Sequence, residues 1–151
     1  MTNVKENPVQ PVYHLIAILE DAKKGYLSAA DKIRDDVLAL LFERFGYQRG
    51  RYSNELKQIV NHLEAESSVD NFTLSLLHRT WMDLKASFTF GKKDTIILAC
   101  IKGEETAIKN YTAAIEQLQH HNEIKAILQR QLNGIKTVLN TIKEYTGKRS
   151  S

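Results

Sequence analysis

The amino-acid sequence predicts an all-α protein, a four-helix bundle with one long crossover that contains an additional helix. Three observations carry this. Apolar residues recur three and four apart along most of the chain, the spacing that lines one face of a helix. Only two prolines and seven glycines interrupt it, and a quarter of the residues are charged, as on a solvated helical surface. Two of the connections between long helical patterns are short and one is long.

A polar lead over residues 1–10 precedes a bundle over residues 11–146, and residues 147–151 read as a tail. The first helix is expected from about Pro11, which suits a first turn, to Lys32. Its seam reads Leu15, Leu19, Ala22, Tyr26, Ala29 and Ile33. Asp35 and Asp36 offer a cap for a second helix to about Leu63, whose seam is Leu38, Phe42, Phe45, Arg49, Tyr52, Leu56, Ile59 and Leu63. The connection from Glu64 to Lys93 has its own pattern: Leu74, Leu77, Trp81, Leu84 and Phe88, with Asp70 as a cap and Gly91 as an end. It is expected to pack along the bundle; the alternative is that it presents a partner-binding face around Trp81. The third helix opens near Asp94 and carries Ile97, Ile101, Glu104, Ile108, Tyr111, Ile115 and Leu118. The fourth runs from about Asn122 through Ile124, Leu128, Gln131, Ile135, Val138, Ile142 and Tyr145 to a stop at Gly147.

A second helix of this length is roughly 40 Å long at 1.5 Å per residue. A connection that returns along it makes helices two and three parallel, the topology of ferritin-like bundles. The halves also look duplicated: Tyr26 superposes on Tyr111, Ala22 on Ala107 and Ala29 on Ala114.

Two charged residues stand in otherwise apolar seams, Arg49 and Glu104. A carboxylate there is costly unless a metal, a cation or hydrogen bonds compensate it. Ferritin-like carboxylate proteins hold two metals with glutamates and Glu-x-x-His pairs, because residues three apart share a helical face. No Glu-x-x-His occurs in this chain. The internal superposition puts Leu19 where a counterpart of Glu104 would stand, and Arg49, Tyr52, Ile135 and Val138 at the remaining positions of that level. Glu20 and Asp21 point well away from the seam, towards solvent or the edge of a neighbouring helix. Arg49 and Glu104 are therefore expected to meet as a buried pair on adjacent parallel helices, with Tyr26, Tyr52 and Tyr111 satisfying leftover lone pairs. The alternative is a non-standard metal site in which Glu104 joins Glu20, Asp21 or Glu55, as in a di-metal oxidase. His120, His121 and Glu123 read as polar turn residues in preference to a surface metal site.

No phosphate-binding glycine loop, nucleophile elbow or thiol–imidazole arrangement is visible, so no enzyme activity, cofactor or small-molecule substrate is expected. The net charge is only +3 and its basic residues lie beside acids, which argues against a nucleic-acid or membrane-surface footprint. No apolar run is long enough to span a bilayer. One cysteine excludes an intrachain disulfide, and Met1–Gln10 lacks the pattern of a secretory signal, so a cytoplasmic location is the expectation. Ile16, Leu27, Leu40 and Tyr47 form a second apolar set away from the seams, a candidate partner surface for a homodimer. The spacing of Gly46 and Gly50 is explained by close helix contact.

The segments LEDAKKGYLSAA, QRGRYSNEL, LHRTWMDLKASF and KGEETAIKNY give the chain its resemblance to the bacterial ferritin-like four-helix-bundle proteins grouped as a domain of unknown function. The resemblance runs from about Val12 to Tyr145. It departs in the fourth helix, where Gly134, Val138 and Leu139 replace the acids or histidine of relatives. It implies the ferritin-like fold and supplies no activity. A non-catalytic role through protein contacts or in stress response is the resulting expectation.

Overall fold

The computed structural model describes residues 7–66, 88 and 92–150, and within them every regular element is a helix. Four helices run in chain order: α1 Val9–Lys32, α2 Asp36–Glu66, α3 Lys93–Gln117 and α4 Asn122–Ser150. The connecting pattern, Trp81 included, lies outside the described residues apart from Phe88.

Local chemistry sets the ends. α1 begins two residues before Pro11, because Pro8 presets φ at −73° and the Asn7 side chain accepts the Val9 N–H at 3.0 Å. Ile33 leaves the helix in extended backbone. Asp35 then caps α2 by accepting the Leu38 N–H at 3.0 Å. α3 closes at Leu118, whose N–H reaches Ala114 and Ile115 carbonyls. The expected stop at Gly147 is corrected: α4 runs through it to Ser150. An isolated glycine costs a helix only about 1 kcal/mol relative to alanine, too little to end one.

Contacts between helix ends give the topology. Asp35, in the α1–α2 turn, meets Lys93 at the start of α3 (2.8 Å) and the Tyr145 hydroxyl near the end of α4 (2.9 Å). At the opposite end His14 of α1 bonds Asn110 late in α3 at 2.9 Å. α2 and α3 therefore run parallel to each other and antiparallel to α1 and α4. α1 packs on α2 and α3, and α4 on α3 and α2, so α2 and α3 face each other across the diagonal. α2 ends at one end of the bundle and α3 starts at the other.

Two apolar clusters fill the interior. One gathers Leu15, Leu19, Leu56, Tyr111, Leu118, Leu128 and Ile135. The other gathers Tyr26, Phe42, Phe88, Ile96, Cys100, Val138 and Ile142. Each fully buried leucine or phenylalanine contributes about 1.5–3 kcal/mol relative to exposure. Tyr26 packs its ring edge-on against Phe45 at 5.6 Å between centroids. At Gly46 an added Cβ would meet the Leu27 side chain at 3.1 Å and the Lys23 carbonyl at 3.3 Å, so glycine there lets α1 and α2 approach closely.

Candidate functional site

The clusters part at one level, between Leu19 and Ala22 on α1, Phe42 and Leu56 on α2, Cys100 and Ala107 on α3, and Ile135 and Val138 on α4. Arg49 and Glu104 occupy that waist, and both are 0 % exposed. They reach each other across the diagonal rather than from adjacent helices.

The pair is bidentate. Arg49 Nη1 donates to Glu104 Oε1 at 2.6 Å and Nη2 donates to Oε2 at 2.5 Å. The Tyr26 hydroxyl donates to Oε2 at 2.6 Å, and its ring lies 5.5 Å from the guanidinium carbon. Arg49 Nε donates to Gln48 Oε1 at 3.1 Å. Both carboxylate oxygens are thus occupied, and three guanidinium nitrogens all donate.

The electrostatics follow from this closure. Burial alone would lower the Arg49 pKa, but the Glu104 charge and its hydrogen bonds outweigh burial and hold it above the ordinary value. Burial, reinforced by the Glu104 charge, pushes the Tyr26 hydroxyl well above its usual range. The same two causes raise the Cys100 thiol. The Arg49 guanidinium therefore stays charged, and the Tyr26 phenol and Cys100 thiol stay neutral, at any physiological pH.

Of the three tyrosines expected around the pair, only Tyr26 serves it. Tyr111, about two turns further along α3, donates instead to Gln131 Oε1 at 2.6 Å. The Tyr52 carbonyl accepts from Gln131 Nε2 at 3.3 Å, and the Tyr52 hydroxyl stands where a Cβ at Gly134 would lie. Gln131, fully buried, also donates to Glu55 Oε1 at 2.8 Å, and Arg130 pairs with the other Glu55 oxygen. A polar chain thus leads from Tyr111 out to the surface. Gln131 was visible as a polar seam residue; its partners were not, because they sit on other helices.

Glu20 takes the helix-edge position expected of it, accepting from Ser53 Oγ at 2.5 Å and Lys57 Nζ at 3.0 Å. Asp21 does not face solvent: it is 3 % exposed, because it lies one heptad along from His14, on the flank of α1 that packs on α3. Ile16, taken for a partner surface, is 2 % exposed, because it lies on the other flank of α1, beside the Glu20, Lys23 and Leu27 that meet α2. Leu27 is half-buried, while Leu40 and Tyr47 are exposed as expected. Among the described residues no three His, Cys, Asp or Glu side chains gather in a group that could hold a metal ion, and His120, His121 and Glu123 sit at the α3–α4 turn. The Glu104 carboxylate, already bound by a guanidinium and a phenol, does not fit as the bridging ligand of a metal pair. No helix among the described residues is long and apolar enough to cross a membrane.

No curated protein and no solved structure matches the chain. A family model does match residues 9–117, from the first residue of α1 to the last of α3, a span that includes Tyr26, Arg49 and Glu104. The chain belongs to the family described as Domain of unknown function (DUF2383).

Proposed function

We propose that this protein is a non-catalytic ferritin-like bundle, cytoplasmic and homodimeric, that acts through protein contacts, with a stress-associated role as one setting for them. The observation that carries this is the Arg49–Glu104 pair: a guanidinium stands at the waist, where a bundle of this topology would hold its positive metal charge. Parallel α2 and α3, with α1 antiparallel to both, support the ferritin-like assignment. Exposed Leu40 and Tyr47 support a role at the surface rather than in the interior. The guanidinium fork already uses both oxygens of Glu104, which leaves that acid no free oxygen for a metal.

Elemental analysis of protein purified without chelators tests this directly. Substoichiometric iron and manganese, unchanged in Glu104→Ala, is the expected result. Stoichiometric iron or manganese that disappears in Glu104→Ala would replace this reading with a metal-binding, oxidase-type one.

A further inference from the structure

We infer that α2 is the dimer interface, and that two copies pair antiparallel through its outer face in one register. The inference rests on the homodimer proposed above and specifies it. At 100° per residue, Asp36, Leu40, Glu43, Arg44, Tyr47 and Arg51 fall within about 100° of one another on α2. All six are exposed, and they lie opposite the buried Leu38, Phe42, Arg49 and Leu56. Leu40 and Tyr47 are 54 % and 52 % exposed, large apolar side chains on the outer face of α2. Among the described residues no intrachain ion pair holds the four charged members.

The order of residues along this stripe is self-complementary. A two-fold axis through the midpoint between Glu43 and Arg44 sets Glu43 opposite the partner's Arg44. The same axis sets Leu40 opposite the partner's Tyr47 and Asp36 opposite the partner's Arg51. Every acid then meets a base and the apolar residues meet each other, twice over, as an isologous interface requires. A parallel pairing would instead oppose each charge to its own copy, which like-charge repulsion forbids. From Asp36 to Arg51 the stripe is about 22 Å long at 1.5 Å per residue. A helix crossing near 20° keeps its ends within reach of an arginine side chain. The adjoining groove between α1 and α2, lined by Leu27, Asp31 and Leu40 among others, adds a recess beside the stripe. An interface carried mainly by one helix lies at the small end of specific interfaces, so a dissociation constant in the micromolar range is expected.

Sedimentation equilibrium at low salt, over about 1–100 μM protein, is the test. Wild type should associate to a dimer. Asp36→Arg alone and Arg51→Asp alone should each weaken association at least about tenfold, since each opposes like charges twice per dimer. The double variant Asp36→Arg/Arg51→Asp should recover it. An equimolar mixture of the two single variants should form a heterodimer, because every pair across the axis is then opposite in sign. Helical circular dichroism should be unchanged throughout, as both substituted side chains are on the surface. A wild-type dimer insensitive to both single substitutions overturns this interface while leaving the homodimer standing. A wild type that stays monomeric over the whole range overturns both. Failure of the mixture and of the double variant to recover association overturns the register.

Discussion

Removing one half of the waist pair should be far worse than removing both halves. Arg49→Met leaves Glu104 as a buried carboxylate with only the Tyr26 hydroxyl for company. Breaking a buried pair in this way costs on the order of 3–5 kcal/mol. At about 2–4 °C per kcal/mol for a chain of this size, the melting temperature falls by roughly 6–20 °C. Glu104→Leu should cost a similar amount, because the guanidinium loses both of its charged acceptors and keeps only Gln48. In the double variant no buried charge remains unpaired. What persists is the Tyr26 hydroxyl without its Glu104 acceptor, a defect of about 1–3 kcal/mol. The double variant is therefore expected to lose at least about 3 kcal/mol less than the sum of the two single losses. Adding Tyr26→Phe should recover most of the remainder. Urea unfolding followed by helical circular dichroism, at one protein concentration because association shifts apparent stability, measures all of these. Losses in the double variant equal to the sum of the single ones would show that Arg49 and Glu104 do not act on each other, and the account of the waist would fall.

Two further perturbations probe how the helices are locked. Asp35 accepts from Lys93, the Leu38 N–H and the Tyr145 hydroxyl, which together hold its carboxyl at about 2, below the ordinary 3.8. A depressed folded-state value stabilises above the unfolded pKa and is lost as pH falls through the folded one, so this contribution should fade between about pH 4 and pH 2. The full shift corresponds to about 2 kcal/mol, which solvent screening at the end of the bundle reduces to about 1. Asp35→Asn should remove that portion of the acid dependence, measured as unfolding free energy against pH; an unchanged profile would refute the assignment. Gly134→Ala would place a Cβ 2.0 Å from the Tyr52 hydroxyl oxygen, so the substitution should destabilise despite alanine's better helix propensity. In a Tyr52→Phe background the nearest atoms are the ring carbon at 3.2 Å and Gln48 at 3.4 Å, and thermal unfolding should show the same change becoming nearly neutral.

The fourth helix shows where local signals mislead. Gly147 carries a stop signal in sequence, yet α4 continues through it, since a weak local penalty yields to the turns on either side. Ile16 and Asp21 show the same limit in burial. Both lie off the α1 seam on opposite flanks, and both are buried because α2 covers the Ile16 flank and α3 the Asp21 flank. Seam arithmetic describes one face of one helix, whereas burial depends on how near the next helix comes.

Periodicity alone determined that this chain is helical, where its long helices lie, and that Arg49 and Glu104 are the charged members of apolar seams. Their level was also legible, since helical rise converts residue number into height along a bundle. Which oxygen meets which nitrogen was decided only by the tertiary structure. So was the choice of Tyr26 over Tyr52 and Tyr111 as the third partner, and the placing of α2 and α3 on a diagonal rather than side by side. Rise and twist fix a side chain's height and direction on its own helix; the distance across the bundle depends on how four helices pack, and no single helix encodes it.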